Sequence, residues 1–348
     1  MDLAAIIKQY RNAFIIKYGN TVLPGHLKAM DAICSCRTSD SGELYVQCPK
    51  CSYGQWRPLS CGHRTCPKCQ NFDASRWVDR QTDKLLPVFY YMVPFTLPYE
   101  LRHLTWRHQR QVYSLFFLCV SSTLKDFGLN PKKMGARIGM TIVLHTHNRK
   151  LGFHPHIHVV LPGGGIDKRR RQWKKKKGKD LFSQYAMARV FRARFLNALK
   201  QTGFSIPDTP SKWVVDCQRV GRGTTVLQYL SRYLYRGVIS ENNIVANQNG
   251  RVTFRYTESK TGKIRYKTLN GEDFLQLILQ HVLPKGFRRI RDFGFLHGNA
   301  KKLLKLVQLV LHVKLDEGNH RARPVFKCPY CKSGMVILGF RFAPWSPG

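Results

Sequence analysis

Residues 138–147 and 153–161 alternate apolar and polar side chains, and Asn148-Arg149-Lys150-Leu151-Gly152 between them carries turn chemistry. That pattern commits the stretch to a β-hairpin. On the first strand Ile138, Met140, Ile142 and Leu144 share a face, and on the second Pro155, Ile157, Val159 and Leu161 share one. A side-chain period of two leaves little freedom after that. If both apolar faces meet one core, His145 and His147 lie on the same outer face as His154, His156 and His158.

Such a face has chemistry built into it. His156 and His158 flank one hydrophobic residue and project together, offering two imidazole ligands with room left for water and phosphate oxygens. A Mg2+ or Mn2+ held there would act as a Lewis acid on a phosphate. Mg2+ prefers oxygen ligands, whereas Mn2+ accepts imidazole more readily. His145, across the hairpin, is the expected third ligand, with His154 or Gln228 as alternatives. Further on, Tyr229-Leu230-Ser231-Arg232-Tyr233 places two tyrosines four apart, one above the other on a helix. From spacing alone, a helix burying its aromatics is the better account of the pair. Beside a metal in a basic chain, the same pair reads as nucleophiles that cut a phosphodiester through a covalent phosphotyrosine.

The charge points the same way. Lys+Arg number 58 against Asp+Glu 20, a net charge of +38 that cannot be neutralised internally. A polyanionic partner is implied, and 43% hydrophobic with 12% aromatic residues indicates folded domains rather than a basic tail. The run Lys168 to Lys177 is expected to protrude as a loop, its Arg169, Arg170, Arg171, Lys174 and Lys175 tracking a phosphate backbone and Trp173 stacking on a base. A solvated loop is the bland account of that run. Arg232 and Arg236 are further candidates for phosphate contact. Met1 to Asn20 has no uninterrupted apolar core, so no signal peptide is expected, and the apolar run Leu115 to Val120 is too short to span a bilayer. A cytoplasmic, nucleoid-associated protein without membrane contact is the expectation.

Eleven cysteines, mostly in C-x-x-C spacing, read as metal ligands in a reducing compartment. Cys48-Pro49-Lys50-Cys51 and Cys66-Pro67-Lys68-Cys69 are two knuckles whose four thiolates would close one structural Zn2+ site with no open position for catalysis. Cys36, Cys61, Cys328 and Cys331 would make a second set of four that clips the C-terminal segment onto the N-terminal module. A C-terminal site completed by His312 or His320, or reduced thiols, are the competing accounts; His63, with Cys34 nearby, is an extra candidate ligand.

Periodicity places helices over residues 1–30, 103–127, 184–202, 224–235, 274–283 and 300–313, strands at 88–93 and 213–217, and a hairpin at 252–256 with 264–268. Intermixed helices and antiparallel hairpins make the class α+β. The divisions expected are an N-terminal helix and zinc-binding domain over 1–80, a catalytic domain over 81–315, and a tail over 316–348 bearing the last knuckle.

The ordered motifs together resemble the His–hydrophobic–His (HUH) endonucleases, and more narrowly the two-tyrosine transposases of rolling-circle insertion sequences. The resemblance runs from Cys36-Arg37-Thr38 through Cys61 and Cys66-Pro67-Lys68-Cys69-Gln70 to His145-Thr146, His154-Pro155-His156-Ile157-His158 and Tyr229-Leu230-Ser231-Arg232-Tyr233. It ends with Gln280-His281-Val282-Leu283-Pro284-Lys285-Gly286-Phe287 and Arg289-Ile290-Arg291. It implies an N-terminal zinc-binding domain and a nuclease domain on a central antiparallel sheet flanked by helices. Residue by residue, it makes His156 and His158 metal ligands and Tyr229 and Tyr233 nucleophiles. One departure is His63, where an amide side chain is expected. Single-stranded DNA at transposon ends and at the target is the implied partner; the oligomeric state is not legible. Two rival readings share part of this pattern: a replication initiator or relaxase with the same chemistry, and a non-catalytic zinc-dependent DNA-binding protein.

Overall fold

In a computed structural model of the chain, residues 1–176, 180–223, 238–258, 261–313 and 325–342 are described. The hairpin forms as β4 (Gly139–His147) and β5 (Phe153–Pro162). Asn148 shapes its turn, accepting from the amides of Lys150 and Gly152 at 2.9 and 3.0 Å, while Leu151 takes a positive φ of 64°. Around it, β3 (Phe89–Thr96), β8 (Gln218–Arg222) and β12 (Ile290–Gly294) complete an antiparallel five-stranded sheet in the order β12-β4-β5-β3-β8.

Register decides which side chains meet. Ile142 pairs with Val159 and Leu144 with Ile157, and these four are fully buried. They pack beneath α5 (Gln109–Leu129) and α6 (Gln184–Gln201), where Phe95, Phe116, Phe191, Phe195 and Trp213 interlock. Each such buried ring or branched chain contributes about 1.5–3 kcal/mol over its exposed state. Helix α5 is long and apolar enough to cross a bilayer. It spends that surface inside, burying Val112, Tyr113, Phe116, Phe117, Val120 and Leu124 in this core.

A second core joins distant parts of the chain. Helices α1 (Leu3–Tyr18) and α2 (Pro24–Ser35) bury Ile6, Ile7, Phe14, Met30 and Ile33 against Val252, Phe254, Phe274 and Ile278. The partners come from a three-stranded sheet of Ile244–Gln248, Arg251–Thr257 and Ile264–Asn270, and from the helix Gly271–Leu279. The long N-terminal helix expected over 1–30 is interrupted at Gly19–Thr21, and Pro24 starts the next helix at a position where its missing amide hydrogen costs nothing. The helix expected over 103–127 breaks likewise at His108 into α4 (Arg102–Arg107) and α5.

Two other expectations are corrected. Residues 213–217 make only the bridge Val215 to Phe95. Asp216 there turns its carboxylate onto the Cys217 amide at 2.7 Å, which competes with the ladder. The basic run is no free loop: β7 (Gln172–Lys175) lies within it and pairs as a hairpin with β6 (Gly164–Asp167) just before it. A third small sheet has the order β13-β1-β2, with β1 (Glu43–Gln47) flanked by β2 (Gly54–Pro58) and β13 (Val336–Arg341). The C-terminal segment thereby pairs with the N-terminal one.

Candidate metal centres

The imidazole face of β4–β5 lies opposite the main core, beside a smaller cluster of Trp77, Tyr90, Met92, Val143 and Val160. His145 pairs directly with His156, and Val143 with His158, so three rings converge with centroids 4.7–5.2 Å apart. One ligand nitrogen from each lies within 4.8 Å of the others. Small ring rotations bring nitrogens at that spacing onto one ion with bonds of about 2.1 Å. The tautomer is set by the backbone: His156 donates from Nδ1 to the His154 carbonyl at 2.7 Å, leaving Nε2 as the ligand. His145 Nε2 is buried without a hydrogen-bond partner. Such an atom costs stability unless something accepts its lone pair. These residues fit a divalent cation.

Burial keeps the rings neutral, the form a metal binds. Desolvation, with help from neighbouring His158 and His156, holds His145 well below the ordinary imidazole range. The same cause, with His156 beside it, pushes His158 down to about 3. His156 is lowered by burial too.

The five-histidine face expected from alternation resolves into three and two. A bulge between His145 and His147 sets His147 opposite Phe153, where it packs on His281 with centroids 5.1 Å apart. His154 turns its Nδ1 to Arg102 at 2.6 Å. His281 bonds Thr146 and the Leu151 carbonyl, locking the hairpin's end. Neither His281 nor Arg289, which lines the small pocket beside His145 and His147, drew a role from sequence alone. Their only signal was membership of the motif segment 280–291. Tyr229, Tyr233, Arg232 and Arg236, together with Gln228 and the helix expected over 224–235, lie outside the described residues.

The cysteines regroup, which corrects the expected partition. Cys36, Cys61, Cys66 and Cys69 gather at one point, and Cys48, Cys51, Cys328 and Cys331 at another. The two sequence-adjacent knuckles therefore do not share an ion. The reason is the β1–β2 hairpin, which carries Cys48 and Cys51 at its turn, away from the end of α2. Pairing of β13 with β1 then delivers Cys328 and Cys331 instead. Sulfur separations are 3.4 Å for Cys36–Cys69 and 3.6 Å for Cys61–Cys69 in the first set. In the second they are 3.3, 3.5 and 3.7 Å. A tetrahedron with Zn–S bonds of about 2.3 Å has edges of about 3.8 Å.

The second set is built from two matching turns. The Cys48 amide donates to Tyr53 O at 2.8 Å and the Ser52 amide to Cys48 O at 3.0 Å. The Cys328 amide donates to Ser333 O and the Lys332 amide to Cys328 O at the same two lengths. Ser52 and Lys332 occupy the same left-handed conformation, φ 57° and 59°. In the first set, the bond to Cys61 and burial raise the Cys66 thiol strongly, and burial and Cys36 push Cys69 up to about 11. Without a cation Cys66 and Cys69 hold their protons; a bound Zn2+ inverts that preference. His63 is no ligand here: its Nδ1 accepts from the Thr65 amide at 3.2 Å and braces the loop.

Of the basic run, Arg169, Arg170, Arg171 and Lys175 are exposed. Trp173 is not: it is half-buried against Phe295, and Lys174 is tied to Asp167 at 3.2 Å and to Gly135 O at 2.9 Å. Those two hold the β6–β7 hairpin to the body, so base stacking by Trp173 is ruled against by its packing.

Comparison with known proteins adds the following. Residues 139–303 match the family described as "Putative transposase", and residues 6–97 match "Transposase zinc-binding domain". The chain is 31% identical to "Putative transposase y4qJ" of Sinorhizobium fredii, over 97% of this chain and 94% of that one. It is 26% identical to "Transposase for insertion sequence element IS801" of Pseudomonas savastanoi pv. phaseolicola, over 75% of this chain and 68% of that one. The first match spans the three histidines, the second spans Cys36 to Cys69, and Cys328 and Cys331 fall outside both.

Proposed function

Since this chain belongs to the family of insertion-sequence transposases that carry an N-terminal zinc-binding domain, we propose that it cuts and rejoins single-stranded DNA at element ends through 5′-phosphotyrosine intermediates. The observation that carries this reading is the convergence of His145, His156 and His158, neutral and buried, on one point of the sheet.

His145, His156 and His158 would hold Mg2+ or Mn2+, which when bound supplies Lewis-acid polarisation of a phosphate oxygen. The chain's own residues do the rest. A Tyr229 or Tyr233 hydroxyl oxygen attacks the phosphorus and loses its proton; the bond to O3′ breaks, and the departing oxygen gains a proton as a free 3′-OH. The bond energy is kept in the tyrosine ester. A second tyrosine four residues away in sequence allows cleavage at one end to be coupled to strand transfer. Arg289, which lines the pocket beside His145, adds positive charge near the phosphate. The two cysteine sets are each suited to structural Zn2+, and four thiolates leave no position open for chemistry.

Relatives named as transposases favour this reading over a replication initiator with the same chemistry. The test uses 5′- and 3′-labelled single-stranded oligonucleotides spanning an element end, incubated with Mn2+, Mg2+ or EDTA. A metal-dependent cut with a protein-linked 5′ end and a free 3′-OH is expected. Binding without any cut would support the zinc-dependent DNA-binding alternative.

A further inference from the structure

We propose that the large cavity beside the histidine cluster is the channel that receives the DNA strand, with a cationic rim for phosphates and the Trp106 ring for a base. This rests on the nuclease reading above and names the surface that would feed it. The cavity measures about 1560 Å³. Small-molecule sites run from about 300 to 1,000 Å³, so it suits an extended ligand. It is framed by the start of α2, the loop leading to Cys66, the α4–α5 junction and residues 281–290.

Two observations select a polyanionic strand. Lys28, Arg64, Arg107, Arg110, Lys285 and Arg289 line the cavity, and no Asp or Glu does among the described residues. Two of the lining guanidiniums are pinned by backbone, Arg64 donating to Phe287 O and Arg110 to Lys285 O. Each keeps further N–H donors after that bond, so the charge is positioned before any ligand arrives.

Trp106 lines the cavity, and ring contacts run from it toward the metal centre. Trp106 stacks on His26 with centroids 6.0 Å apart and meets Phe153 edge-on at 5.5 Å. Phe153 stacks over His281 at 6.3 Å, and His281 meets His147 at 5.1 Å. Val238, His281, Leu283 and Arg289 line both this cavity and the pocket that reaches His145. Interleaved cations and ring faces are how sites for single strands work, because unpaired bases expose π-faces that a duplex hides.

The test is fluorescence anisotropy of a labelled single-stranded oligonucleotide in EDTA, across a salt series, so that no cleavage enters the readout. The triple variant Lys28→Gln/Arg107→Gln/Lys285→Gln removes three exposed lining charges. A control, Arg189→Gln/Lys200→Gln/Lys212→Gln, removes three exposed charges outside the cavity. The slope of log affinity against log salt should fall by about 2 for the first and by well under 1 for the second. Trp106→Leu should weaken binding about tenfold with its slope unchanged. Equal slopes for the two triple variants would overturn the channel, as would a slope change seen with duplex and not with the single strand. Normal covalent adduct with unchanged slopes would sink the channel and leave the nuclease standing. Changed slopes in a protein that never forms adduct would do the reverse.

Discussion

His156 donates its Nδ1 hydrogen to the carbonyl oxygen of His154 at 2.7 Å, and this bond decides which nitrogen faces its neighbours. The carbonyl belongs to the same strand, so backbone geometry orients the ring before any ion binds. A ligand oriented in advance loses less freedom on coordination. His156→Ala and His158→Ala should each reduce metal-dependent cleavage by at least about 100-fold, since even residues that only orient ligands typically cost 10–100-fold. Affinity for single-stranded DNA in EDTA should stay within about threefold, because the charged contacts remain. Equal losses in both assays would argue that the histidines serve folding instead.

Metal content distinguishes the two cysteine sets. The intact protein should carry two Zn2+ per chain by elemental analysis, one for each cluster of four sulfurs. Cys328→Ser/Cys331→Ser should carry one and free the C-terminal strand for proteolysis near residue 325. A single zinc in the intact protein would contradict the second cluster.

How much of this was legible depends on range. Alternation fixed the faces of Ile142, Leu144, Ile157 and Val159, because a period of two admits only two answers. The bulge that separates His147 from His145 left no mark, since one extra residue changes pairing but not composition. Spacing and counting singled out the eight clustered cysteines and misassigned their partners. A knuckle says which two sulfurs share an ion, while the other two are chosen by the pairing of Glu43–Gln47 with Val336–Arg341, which no local pattern encodes. Trp173 misled for a related reason: charge around it hid that Gly164 leaves room for its ring, an added Cβ there lying 2.7 Å away.

Acid should weaken the fold through His26. Burial lowers its ring to about 4, and its Nδ1 accepts the Leu23 amide hydrogen that caps α2. The folded value lies below the unfolded one near 6.5, so the unfolded chain binds more protons between them. This group's contribution is complete above pH 6.5, declines as pH falls toward 4, and changes no further below that. His26→Asn keeps an acceptor and removes the titration. Its melting temperature should fall less than the wild type's between pH 6.5 and 4.5; parallel curves would remove His26 from the account.

Gly294 ends the strand paired with β4 in a left-handed conformation, φ 62°, where an added Cβ would sit 1.8 Å from the Ile138 carbonyl oxygen. Both the conformation and the clash oppose a side chain. Gly294→Ala should destabilise by more than about 1 kcal/mol, read as a lowered urea midpoint. An unchanged midpoint would mean that the strand end yields at no cost.

The central claim is that the histidine centre and the tyrosines of segment 224–237 act on one phosphodiester. It is tested most directly by trapping the covalent adduct on a single-stranded element end with Mn2+ and locating the DNA-linked residue by mass spectrometry. The account predicts linkage to Tyr229 or Tyr233, abolished by Tyr229→Phe/Tyr233→Phe, by His156→Ala and by EDTA. Adduct on another residue, or adduct that persists without metal or in the double tyrosine variant, would contradict it.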